Sequence, residues 1–147
     1  MKKILFTAII FTAFFAACKK KEDKPATAQT KTQLLTANNW TLTAFVASRP
    51  NEPDANMFGL FENCTKDDFI KFNTNFSVIF DEGATKCDPT DPQTETEIWS
   101  FGPNESTIII DGDSLKLGNL NATELKTSFT DVLNGKTYTF TTTYSKK

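Results

Sequence analysis

From Trp40 to Tyr144 the chain divides into short runs in which apolar and polar residues alternate, separated by Asn, Asp and Gly. Alternation with a period of two puts every second side chain on one face, so these runs read as half-buried strands of an antiparallel all-β domain. Residues 40–47 place Trp40, Leu42, Ala44 and Val46 on one face. Residues 68–73 and 75–81 lie about Asn73-Thr74-Asn75, a hairpin signal. Residues 95–101 follow, and then 106–111, which Asp111-Gly112-Asp113 turns into 114–117. Residues 123–132 set Leu125, Thr127 and Phe129 against Glu124, Lys126 and Ser128. Asn134-Gly135 turns that run into 136–144, with Tyr138, Phe140, Thr142 and Tyr144 on one face. Eight strands result, rich in Thr and aromatics as pleated, half-buried surfaces favour. Gln33 to Ala37 alone suggests helix, a turn or two.

The N-terminus has a different character. Met1-Lys2-Lys3 is basic, Ile4 to Phe15 is apolar, and Ala16-Ala17 are small, the three parts of an export signal. A membrane-spanning helix needs about 20 apolar residues, and Ile4 to Phe15 is too short. Phe15-Ala16-Ala17-Cys18 resembles a bacterial lipobox, which implies lipidation of the Cys18 thiol and cleavage just before it. Each buried acyl methylene contributes roughly 0.8 kcal/mol, and stable anchoring takes two signals, which a diacylglyceryl group with an N-acyl chain supplies. Residues 19–33 hold nothing apolar larger than alanine except Pro25 and read as a flexible tether. The expected organisation is a signal peptide over 1–17, a tether over 18–33 carrying lipidated Cys18, and a barrel domain over 34–147. Glu22-Asp23 after a lysine is similar to the surface-export signal of Bacteroidota lipoproteins, and equally fits an ordinary solvated spacer.

From Thr32 onward nine Lys and Arg face sixteen Asp and Glu, a net charge of about −7. Nucleic-acid binding needs a basic face to neutralise phosphates, so that partner class is excluded. With Cys18 lipidated, Cys64 and Cys87 remain as an even pair, expected to form a disulfide in an oxidising compartment. Two cysteines without a single histidine make a poor zinc set.

Residues 49–66 form a long connection after the first strand and carry Met57, Phe58, Leu60 and Phe61. Connections of this length are uncommon and often functional. These four side chains either form a lid over one end of the barrel or plug its mouth as core.

Several blocks resemble lipocalin-like lipoproteins of the Bacteroidota type: Leu34-Leu35 followed by Asn39-Trp40-Thr41-Leu42, Cys64 to Phe72, Phe76 to Gly83 with Cys87, Trp99-Ser100-Phe101, and Tyr138 to Tyr144. The resemblance covers residues 34–145. It implies an eight-stranded antiparallel up-and-down β-barrel with a short N-terminal helical turn and Trp40 plugging the barrel floor. An eight-stranded barrel is either filled by side chains or holds one small ligand. Of the 14 Phe, Phe6, Phe11, Phe14 and Phe15 leave with the signal, so ten Phe with two Trp and two Tyr fill or line the domain. Trp40, Leu42, Phe72, Phe76, Phe80, Trp99, Phe101, Tyr138 and Phe140 are the candidates for core or ligand-lining positions.

Catalytic chemistry finds little support. General acid–base work most often uses histidine, which is absent. Ser48, Ser100 and Ser114 lie in no Gly-x-Ser-x-Gly context. Carboxylate pairs such as Asp67-Asp68 and Asp81-Glu82 leave a glycosidase as the one enzyme class open, and a solvated strand face explains them more simply. Asp88, Asp91 and Glu95, and Asp111 with Asp113, match no complete calcium loop and read as turns. Asp113-Ser114-Leu115 resembles an O-glycosylation site of exported Bacteroidota proteins, with Ser114 as acceptor. The expectation is therefore a non-enzymatic, monomeric, lipid-anchored protein of the outer membrane, on its periplasmic face or at the cell surface. It would need no cofactor or metal and would bind a small apolar or amphipathic ligand. The alternative is a filled barrel acting as a scaffold for envelope proteins or glycans.

Overall fold

The computed structural model describes residues 28–147, so the expectations for the signal segment and Cys18 lie outside the described residues. Helix α1 (Lys31–Thr36) comes first, followed by β1 (Asn39–Ser48), β2 (Ala55–Asn56), β3 (Phe69–Phe72), β4 (Ser77–Asp81) and β5 (Thr94–Phe101). Strands β6 (Thr107–Ile110), β7 (Asp113–Leu120), β8 (Glu124–Leu133) and β9 (Lys136–Lys146) complete the chain. From β3 to β9 each strand pairs antiparallel with the next, β3 pairs with β1, and β9 returns to β1 along Trp40–Ser48. The result is the expected closed eight-stranded up-and-down barrel, with β2 a two-residue addition beside Val46 and Ala47. The hydrogen-bond cycle closes, and the core cluster fills, within the described residues, with β9 pairing to β1 as far as Lys146.

Local chemistry explains most of the element boundaries. Asp111-Gly112 and Asn134-Gly135 are the central pairs of two-residue turns between β6 and β7 and between β8 and β9, all four at positive φ. That geometry matches the twist of the strands they join, and Asn, Asp and Gly tolerate it best. Helix α1 starts at Lys31, ahead of the Gln33 and Leu34 boundaries read from the sequence. Thr30 and Gln33 form a reciprocal capping box, with the Gln33 N–H donating to Thr30 Oγ1 (3.1 Å) and the Thr30 N–H to Gln33 Oε1 (2.9 Å).

The expected inner face of β1 needs correction. A bulge between Leu42 and Ala44 shifts the register against β9 by one residue. One extra residue flips all later side chains to the opposite face. Phe45 and Ala47 therefore join Trp40 and Leu42 on the inner face, paired with Thr142 and Phe140, while Ala44 and Val46 turn outward. Thr43, the extra residue, faces solvent, its hydroxyl donating to the Thr143 carbonyl at 3.2 Å.

The end of the barrel nearest α1 is packed. Leu35, Trp40, Phe72, Val78, Trp99, Ile108 and Leu125 form one buried cluster. Trp99 meets Phe72 and Phe101 edge-on, at 5.5 and 5.3 Å between ring centroids, an arrangement aromatic quadrupoles favour. Strands β3 and β4 are only four and five residues long, whereas β1, β8 and β9 have ten, ten and eleven. The tall side carries an aromatic wall in which Phe140 stacks between Phe45 and Phe129 at 5.5 and 5.2 Å. Thr127 is the buried polar residue of that wall, and its hydroxyl lies 2.6 Å from that of Thr142. The low side leaves the opposite end of the barrel open.

Candidate functional site

Where the short strands stop, the barrel holds an open cup of about 290 Å³. Trp40 forms its floor. The indole is fully buried, and its N–H donates to the Leu35 carbonyl of α1 at 2.8 Å. Leu42 from β1, Ile70 from β3, Phe80 from β4 and Tyr144 from β9 make the wall. Their adjacency follows from register: Trp40 pairs with Ile70, Ile70 with Phe80, and Leu42 with Tyr144. Burial pushes the Tyr144 phenol above its ordinary pKa, against a smaller pull from a hydrogen bond with Thr142.

The rim is polar and acidic. Asp68, Asp81, Glu82 and Glu95 line it with Gln93 and Thr65, and no Lys or Arg does. Asp81 is occupied, accepting from the Gly83 N–H and from Gln93 Nε2. Asp67, just outside the cup, is likewise spent: its carboxylate accepts from the Ala84 and Thr85 N–H groups and the Thr85 hydroxyl at 2.7–3.0 Å. The Thr85 hydrogen bond leads in holding its pKa below the usual carboxylate range. Gly83 makes this turn possible. It sits at φ +69°, and a Cβ there would fall 2.5 Å from the Asp67 carbonyl oxygen. Asp68 differs, because its Oδ1 is shielded from solvent and has no hydrogen-bond partner. Desolvation first, then the charges of Glu82, Asp67 and Asp81, push its pKa up to about 6 against a smaller pull from Lys147.

The Cys64–Cys87 disulfide, with its Cα atoms 5.2 Å apart, ties the 49–66 connection to the loop after β4 beside this rim. Glu62 lies near both sulfurs, but their mutual bond leaves no thiolate to ligate a metal. Asp88 accepts from the N–H and hydroxyl of Thr90 in a tight turn.

The candidate lining residues separate into groups. Trp40, Leu42 and Phe80 face the cup. Phe72, Trp99 and Phe101 belong to the packed end below it. Tyr138 and Phe140 stand in the aromatic wall. Phe76 sits at positive φ in the β3–β4 turn, 55% exposed, with its ring against Trp99. In the 49–66 connection, Phe61 packs on Phe45 at 5.5 Å and Phe58 on Phe61 at 6.2 Å, Met57 bonds by its N–H to the Phe45 carbonyl, and Leu60 is 77% exposed. None of these four reaches the cup. Ser114 is exposed on β7. Reading from sequence missed Ile70, Tyr144, Asp68 and Glu95. Alternation held a signal for two of them, since Tyr144 shares a face with Phe140, and Glu95 shares one with Trp99.

Among the described residues no helix is long and apolar enough to cross a membrane. No protein-family model and no curated protein matches this sequence. Among solved structures, the chain is similar to bovine odorant binding protein in complex with undecanal, at 16% identity and a TM-score of 0.46 over 84% of this chain and 77% of that one. It is similar to the same bovine protein in complex with a selenium-containing odorant, at 15% identity and a TM-score of 0.45 over 84% and 76%.

Proposed function

We propose that this chain is a lipid-anchored binding protein of the outer membrane whose barrel holds a small apolar or amphipathic molecule. The observation that carries this reading is the open cup, floored by Trp40 and walled by Leu42, Ile70, Phe80 and Tyr144. Binding sites for small molecules are concave, largely apolar and furnished with a few placed polar groups. At about 290 Å³ the cup lies at the lower end of the roughly 300–1,000 Å³ typical of small-molecule pockets. The anchor rests on Phe15-Ala16-Ala17-Cys18 and the tether that follows.

The test is calorimetric titration of residues 28–147 with 1-octanol, a neutral probe of matching size. Saturable one-to-one binding that is lost when Phe80→Trp narrows the cup supports the reading. No binding up to the solubility limit of octanol overturns it. The scaffold reading draws on a different region: Val132 and Leu133 are 60% and 45% exposed at the β8–β9 tip, an apolar end suited to a protein partner.

A further inference from the structure

We infer that the cup selects amphiphiles with a cationic head, such as primary alkylamines, over neutral or anionic ones. This rests on the reading of the cup as a binding site and names its ligand class. An apolar floor beneath charged groups of one sign accommodates a molecule with an alkyl body and a head of the opposite sign. Four carboxylates line the rim and no cation does. Among the described residues the one ion pair is Arg49–Glu52, so Asp68, Glu82 and Glu95 form none. Lys147 is the cation whose charge acts on Asp68, but its Nζ donates to the Asp67 carbonyl at 2.9 Å and lies 4.1 Å from the centre of the Phe69 ring, without pairing to the Asp68 carboxylate.

Asp68 is the group that gains most from a cationic ligand. Its Oδ1 is shielded from water and accepts nothing, and a buried acceptor without a donor is costly. An ammonium brings three donors and a positive charge, whereas a carboxylate head would add a fifth negative charge to the rim. The groups facing Asp68 are Asp67, Asp81, Glu82 and Lys147, predominantly acidic. The excess of acid over base in the domain adds long-range attraction for cations.

The experiment compares octylamine, 1-octanol and octanoate by calorimetry on residues 28–147 at pH 8 and pH 5. Octylamine should bind about tenfold tighter than octanol at pH 8, and octanoate more weakly than either. The amine stays protonated at both values, as a lysine does. Its advantage should therefore shrink at pH 5, where Asp68 takes up its proton, while octanol affinity holds. Asp68→Asn should remove most of the amine preference, read as the ratio of octylamine to octanol affinity within the variant. Glu82→Gln should weaken the preference to a smaller degree, and it serves as the second variant if Asp68→Asn fails to fold. Octanol binding with no preference for the amine would overturn the inference and leave the cup reading standing, whereas failure of octanol to bind would overturn the cup reading itself.

Discussion

Replacing Trp40 by Phe tests whether the floor is held by a specific hydrogen bond or by bulk alone. The indole is fully buried and donates to the Leu35 carbonyl at 2.8 Å, and Leu35 is itself fully buried. Phenylalanine keeps an aromatic ring but cannot donate. The orphaned carbonyl costs about 1–3 kcal/mol, and the two missing ring carbons cost roughly 0.8 kcal/mol each. Together these destabilise the domain by about 3 kcal/mol. With a urea dependence on the order of 1.5 kcal/mol per molar, the midpoint should fall by roughly 2 M with an unchanged slope. The assay suits the substitution, because it leaves Trp99 as the only tryptophan of the domain. Fluorescence then reports on the packed end while circular dichroism reports on the sheet, and coincident transitions establish two-state unfolding. A loss under about 0.5 kcal/mol, the range of ordinary surface substitutions, would refute the reasoning. Trp40→Ala should cost more than Trp40→Phe, because truncating a buried tryptophan alone removes about 3–5 kcal/mol.

Reduction of Cys64–Cys87, 23 residues apart, should remove about 3–4 kcal/mol on the loop-entropy model and lower Tm by roughly 10 °C or more; an unchanged melt refutes it. Asp68→Asn should stabilise the fold at pH 8 but not at pH 3. The folded-state pKa of about 6 lies above the ordinary 3.8, so the folded state binds the extra proton, and wild-type stability falls as pH rises from 3.8 to 6. Denaturation midpoints at the two pH values check this, and an equal gain at both would refute it. Cys18→Ala should shift the protein from the membrane to the soluble fraction on fractionation, and continued membrane association would refute lipidation at Cys18.

What the sequence determined by itself was local. Asp111-Gly112 and Asn134-Gly135 announced two hairpins because their residue types tolerate the positive φ that those turns demand. Alternation from Leu125 to Phe129 and from Tyr138 to Tyr144 marked faces that the register keeps together, and the resemblance of several blocks to lipocalin-like lipoproteins implied that the eight runs close into a barrel. The even cysteine pair pointed to the bond between Cys64 and Cys87. Tertiary structure decided the rest, beginning with the Thr43 bulge, which redirects Phe45 and Ala47 inward although neighbouring residues carry no sign of it. The cup required closure of β9 on β1, which brings Tyr144 beside Leu42 across about a hundred residues of chain. The acidity was visible as a total, but its concentration at one rim was not, because Asp68, Glu82 and Glu95 meet only through the pairing of β3, β4 and β5. Turn geometry and alternation are properties of adjacent residues, whereas a binding surface is set by register between strands remote in sequence, and only the folded barrel specifies that register.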